Sequence, residues 1–205
     1  MECDEPMRKH EGPKPKTTKL VTISGSPHGR CTDAALHAYE QHLANKYSIQ
    51  EEEIYRWRTP TNLAGCQDCR LGCVKGCRWT DEFMRDLLPR LTDAQRVIFG
   101  SPVYLDMPTP QMMALLTRLN CMAEPTSREF FRGKKAYFVA TAYCSGTKQV
   151  ISTMRNACEM LGFTCEGRSS REYIQLWKDR KLRGGMDKED AIYLPLTQKQ
   201  RSVII

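Results

Sequence analysis

Three times in this sequence a short apolar run gives way to a loop of small and polar residues and then to a segment with helical spacing. The runs are Lys19-Leu20-Val21-Thr22-Ile23-Ser24, Val97-Ile98-Phe99 and Lys135-Ala136-Tyr137-Phe138-Val139-Ala140-Thr141. A strand buried on both faces reads as a continuous apolar run, because neither face is left for polar side chains. Strand, loop and amphipathic helix in repetition therefore predict an α/β fold, a parallel sheet with helices on both faces.

The helical segments follow from apolar spacing and from their stop signals. Thr32 and Asp33 are N-cap residues for a helix whose Ala35, Leu36, Tyr39 and Leu43 share one face, ending near Asn45. Thr80 opens a second helix, with Phe83, Met84, Leu87, Leu88 and Leu91 in a stripe, which Pro89 is expected to kink or end. A third runs from about Pro110 to Leu119, and a fourth follows Gly146 and reaches Leu161, with Gly162 as its C-cap. Two weaker strands complete the set. Ser48 to Tyr55 carries Glu51 to Glu53 and belongs toward an edge, and Tyr173 to Leu176 is the last strand.

At 205 residues the chain fits one domain. We expect a flexible arm over 1–18, the folded domain over 19–180 and a tail over 181–205 whose apolar end, Val203-Ile204-Ile205, can pack on a partner. No window approaches the ~18 apolar residues of a membrane span, and Met1 to Thr18 is charged where a secretory signal would be apolar. The expectation is a cytoplasmic protein without membrane contact, its ten cysteines kept reduced for metal or redox work. The net charge of +7 lacks the aromatic-interleaved basic motif of a nucleic-acid binder, so it reads as favouring anionic cofactors.

The strand-end loops carry the chemistry. Ser24-Gly25-Ser26-Pro27-His28-Gly29-Arg30-Cys31-Thr32 has the makings of a phosphate cradle: glycines for close approach, the Ser26 and Thr32 hydroxyls as donors, and a helix N-terminus behind them. It matches neither the GxGxxG fingerprint nor a Walker loop, and an ordinary strand-to-helix turn is the competing reading. In Ser101-Pro102-Val103-Tyr104-Leu105-Asp106-Met107-Pro108-Thr109-Pro110 the prolines stiffen a backbone suited to the edge of a heterocycle, beside an aromatic ring. The third loop, Thr141 to Gly146, again offers a hydroxyl, small residues and an aromatic. In an open α/β sheet, ligands collect at such strand ends where the strand order reverses.

Gly25-Ser26-Pro27 through Thr32, a Cys-x-x-Cys knot followed by Thr80-Asp81-Glu82-Phe83, then Ala94 and Val97 to Tyr104, stand in the order and spacing of the flavodoxin-like NADPH-dependent FMN reductases. The chain resembles that family from about Lys19 to Gly162, and its cysteine knot resembles the iron-sulfur flavoprotein branch. The resemblance implies a flavodoxin-like, doubly wound five-stranded parallel sheet with a cysteine-rich loop insertion over 65–79. It implies FMN, with the phosphate on Ser26, Arg30, Cys31 and Thr32, and with Ser24 and His28 among the cofactor-binding residues. The isoalloxazine would lie against Pro102, Val103, Tyr104 and Leu105, with Tyr143, Cys144, Ser145 and Gly146 closing the site. It further implies a homodimer or homotetramer. The first loop departs from the commoner form, with His28 after the proline and Cys31 before Thr32.

Cys66, Cys69, Cys73 and Cys77 follow the spacing Cys-x2-Cys-x3-Cys-x3-Cys, compact enough for one loop to wrap a single 4Fe-4S cubane. The resembling branch has two residues between its second and third cysteines and a longer gap before the fourth. Free thiols in a cluster-less loop, and structural zinc, are the competing readings. The functional expectation is an FMN-dependent oxidoreductase passing electrons between a donor (the cluster, a ferredoxin-like protein or NAD(P)H) and an acceptor, either a small molecule or a redox protein. A non-enzymatic electron carrier and a metal-stabilised binding module without flavin are the alternatives. No general acid or base is assigned, and His28 and His37 read as loop and helix-surface residues.

Overall fold

The computed structural model describes residues 18–67, 77, 79–120, 130–142, 145–176, 181–184 and 193–195. The expected arm before Thr18, the apolar end at Val203 to Ile205, and four expected site residues, Cys69, Cys73, Tyr143 and Cys144, lie outside the described residues.

The described elements in chain order are β1 (Leu20–Ser24), α1 (Arg30–Tyr47), β2 (Ile54–Arg58), α2 (Leu88–Asp93), β3 (Arg96–Pro102), α3 (Pro110–Leu119), β4 (Lys135–Ala142), α4 (Thr147–Leu161), β5 (Thr164–Leu176), β6 (Lys181–Gly184) and β7 (Tyr193–Pro195). They form one sheet in the order β2-β1-β3-β4-β5-β6-β7. The first five are parallel, with β1 flanked by β2 and β3, which is the doubly wound flavodoxin-like order. Two short antiparallel strands, β6 and β7, extend that sheet into the region read from sequence as a tail.

Side chains alternate across β1, β3 and β4, and this splits the core into two layers. Val21, Ile23, Val97, Phe99, Phe138 and Ala140 meet α3 and α4 on one face. On the other, Leu20, Ile98, Tyr137 and Val139 meet Leu36, Tyr39 and Leu43 of α1. Gly100 lies under α1, where a Cβ would stand 2.6 Å from Leu36 atoms. The small residue thus lets α1 pass close over β3 at the end that carries the second loop.

Four expected boundaries require correction. The strand expected at Tyr173 to Leu176 begins at Thr164, directly after α4, and is not the last. The charged run Glu51–Glu53 forms a single 3-10 turn rather than the start of a strand, and β2 begins only at Ile54. Its place at the sheet edge agrees with expectation. Helix α1 begins at Arg30, so Thr32 and Asp33 lie inside its first turn instead of capping it, and it runs on to Tyr47 before Ser48 turns left-handed. Pro89 does not break the second helix. The turn before it, Phe83–Leu87, widens to π geometry, with the Leu88 amide donating to the Phe83 carbonyl, and Pro89 falls in the first turn of α2, where a missing donor costs little.

Edge strand β2 is tied to α1 through Glu40, a fully buried carboxylate. It accepts from Thr22 Oγ1 at 2.7 Å and from Arg56 at 2.7 to 3.1 Å, so the buried charge is matched by a cation and a hydroxyl.

Candidate functional site

The loops after β1, β3 and β4 open at the same end of the sheet, beside the point where the chain reverses its winding direction. In the first, Ser26 Oγ accepts from the Gly29 amide at 3.1 Å and donates to its carbonyl at 3.3 Å, curling the loop on itself. Gly29 and Arg30 are consecutive left-handed residues, with φ of 74° and 47°. Helix α1 begins there without a side-chain cap, and a helix N-terminus carries partial positive charge. Cys31 is half-buried at this rim, and burial pushes its thiol above the ordinary range against the opposing pull of Arg30.

The second loop is braced from within. Thr109 donates from its amide to Ser101 Oγ (3.0 Å) and from Oγ1 to the Gly25 carbonyl (2.7 Å), while Oγ1 accepts from the Met112 amide (3.2 Å) at the start of α3. One hydroxyl therefore couples the first loop, the second loop and a helix. Between Pro102 and Thr109, Tyr104 and Met107 exchange backbone hydrogen bonds of 2.9 and 3.0 Å around Leu105 and Asp106, both left-handed. This is a two-residue hairpin turn, built without glycine.

The third loop joins the first two. The Val103 amide donates to the Thr141 carbonyl at 2.8 Å, and the buried hydroxyls of Thr32 and Thr141 lie 2.7 Å apart. Gly146, with φ of 89°, packs so closely against Asp106 and Val103 that a Cβ has no room. Its lack of a side chain keeps the second and third loops in contact.

The first two loops and the end of β4 line an open cleft of about 170 Å³, formed by Ser26, His28, Gly29, Arg30, Cys31 and Thr32, then Pro102, Val103 and Tyr104, then Thr141 and Ala142. Most of the residues expected from sequence thus converge. Ser24 stands apart, since its hydroxyl donates to Asp33 at 2.6 Å and faces a second groove on the β2 side. Leu105 is 98 % exposed at the hairpin tip and does not line the cleft. Ser145 is exposed beside Gly146. Two residues have no site role in the sequence reading: Arg58, at the end of β2, and its partner Asp33, read there only as an N-cap; they form an ion pair behind Gly29.

A phosphorylated planar ligand fits this arrangement. An uncapped helix N-terminus beside the positive-φ residues Gly29 and Arg30 has the polarity to take an anion at one end, and a proline-stiffened loop with a half-exposed tyrosine lies at the other. Because burial raises the Cys31 thiol above its ordinary range, its alkylation should stay slow at neutral pH and need a more alkaline pH than an exposed cysteine does. FMN should suppress that alkylation, and mass spectrometry of the Cys31 peptide with and without FMN measures both effects.

The cysteine loop is clasped at its base by α3. Arg118, 1 % exposed, donates to the Asp81 carboxylate at 2.7 and 3.1 Å and to the Ala64 carbonyl at 3.3 Å, while the Cys66 amide donates to Thr117 Oγ1 at 3.2 Å. The chain entering the loop and the chain leaving it are held by the same helix turn. Cys66 is exposed and Cys77 half-buried, and neither forms a disulfide with another described cysteine. Among the described residues no group of three or more metal-ligating side chains comes together.

The family model for NADPH-dependent FMN reductase matches residues 18–170, three quarters of the sequence. The chain belongs to the NADPH-dependent FMN reductase family. It is 28 % identical over 127 residues to an iron-sulfur flavoprotein of Archaeoglobus fulgidus, spanning 59 % of this chain and 60 % of that relative, so about two fifths of the relative has no counterpart in the match. Among solved structures, RosB with bound 8-demethyl-8-formylriboflavin-5'-phosphate superposes with a TM-score of 0.55 at 19 % identity, over 77 % of this chain and 65 % of that one. A WrbA-like flavodoxin from Agrobacterium tumefaciens gives 0.52 at 14 % identity over 77 % and 83 %. An azoreductase from Bacillus anthracis gives 0.52 at 13 % over 76 % and 86 %. At these identities the structural likenesses establish the flavodoxin-like fold. Among the described residues no helix is long and apolar enough to cross a membrane.

Proposed function

We propose that this chain is an FMN-dependent oxidoreductase, with FMN seated in the strand-end cleft and electrons supplied by NAD(P)H or a redox protein. The observation that carries the reading is the convergence of the loops after β1 and β3 with the end of β4 on one cleft beside the reversal of strand order. Membership of the FMN reductase family supports it independently. Bound FMN supplies transfer of electrons singly or as a hydride.

The protein's own residues bind and orient. Amides around Gly29 to Cys31 and the hydroxyls of Ser26 and Thr32 receive the phosphate, and Arg30 and His28 sit at its open side. Pro102, Val103 and Tyr104 flank the ring, held in place through Thr109 and Gly146. The cysteine loop is proposed as an iron-sulfur site, a reading supported by its spacing and by the similarity to a protein named an iron-sulfur flavoprotein.

The test is steady-state oxidation of NADPH and NADH by the FMN-loaded protein with a quinone acceptor, alongside iron analysis after anaerobic purification. Turnover well above that of free FMN supports the oxidoreductase reading, and a protein that binds FMN without oxidising either nucleotide favours a carrier. For the cluster, full iron content in Cys73→Ser would exclude Cys73 as a ligand.

A further inference from the structure

We infer that Arg58 is a positioning residue for the FMN phosphate, acting by neutralising Asp33 at the back of the cradle. Asp33 lies in the first turn of α1, its amide donating to the Gly29 carbonyl at 3.4 Å, and its carboxylate accepts from Ser24 Oγ. Its other oxygen pairs with the Arg58 guanidinium, which reaches across from the end of β2. Both groups occupy the space that a side chain on Gly29 would need, so that a Cβ there would strike each of them.

A carboxylate in the first turn competes for the same positive helix end that an incoming phosphate uses, and two like charges so placed repel. Arg58 resolves the conflict. Paired with Asp33, it cancels the negative charge one turn from the cradle and supports the left-handed Gly29-Arg30 backbone from behind. The Arg58 side chain is 49 % exposed, so it is not needed to fill the core. Asp33 in turn holds Ser24, the last residue of β1, so the pair also fixes where the loop departs from the sheet.

This inference rests on the reading of the cleft as an FMN site. It predicts a defect specific to the phosphorylated flavin. Apoprotein of the wild type, Arg58→Gln, Asp33→Asn and the Arg58→Gln/Asp33→Asn double variant is titrated with FMN and with riboflavin, and circular dichroism monitors folding. Arg58→Gln is expected to weaken FMN binding about tenfold, equivalent to about 1.4 kcal/mol, with riboflavin affinity unchanged. Removing the uncompensated carboxylate in the double variant should restore FMN affinity to within about threefold of wild type. Unchanged FMN affinity in Arg58→Gln, an equal loss for riboflavin, or a double variant as weak as Arg58→Gln would each overturn the role assigned to Arg58. A wild-type chain that binds neither flavin overturns the FMN site itself, and this inference with it.

Discussion

Replacing Arg118 with alanine is expected to lower the unfolding free energy by about 3 kcal/mol and to release the base of the cysteine loop. The guanidinium is almost fully buried, stacks on Phe83 and satisfies both the Asp81 carboxylate and the Ala64 carbonyl. Truncation removes those bonds and opens space beneath α3. Asp81 is 30 % exposed and can rehydrate, which keeps the cost below that of an isolated buried charge. Arg118→Met retains much of the volume and should recover part of the loss, separating packing from polar satisfaction. Urea denaturation of the two variants checks the magnitudes. Limited proteolysis checks the loop, with faster cleavage between Gly65 and Thr80 expected in both variants, because neither can clasp Ala64 to Asp81.

The second large effect is expected at Gly29. Alanine there must adopt a φ of 74° and place its methyl against Arg58 and Asp33. The left-handed conformation alone costs an L-residue about 1 kcal/mol, and the methyl group displaces the ion pair behind the loop. FMN affinity in Gly29→Ala should fall by one to two orders of magnitude, while riboflavin affinity changes little, because the ring end is built from other loops. Parallel fluorescence-quenching titrations with the two flavins measure this. An equal loss for both flavins would show that Gly29 supports the cleft as a whole and not the phosphate end.

These two sites show what the sequence makes legible. The doubly wound fold could be read from residues such as Val97 to Phe99, because burial on both faces leaves an uninterrupted apolar run. The Ser26 to Thr32 and Pro102 to Tyr104 loops could be read because strand ends in such sheets converge. Contacts between residues far apart in sequence were not legible. Asp33 and Arg58 lie 25 positions apart, and recognising them needs the register of β2 beside β1, whose start was placed too early because Glu51 to Glu53 resembled a charged edge strand. Thr32 and Thr141 meet across 109 positions for the same kind of reason. Pro89 misled because local rules for proline assume an α-helical ladder, whereas the π turn before it moves the missing donor to a place where it costs little.

Leu105 shows the reverse case. A leucine beside Tyr104 reads as a ring contact, yet the hairpin turn places it at the outermost point, away from the cleft. Turn geometry outranks hydrophobicity in deciding where that side chain points.

Titrating flavin-free protein with FMN and with riboflavin decides whether these strand ends form an FMN site with a dedicated phosphate end. We expect saturable binding of one FMN per chain, about 100-fold tighter than riboflavin, from roughly two charge-assisted hydrogen bonds to the phosphate. No saturable FMN binding, or equal affinity for the two flavins, would contradict it.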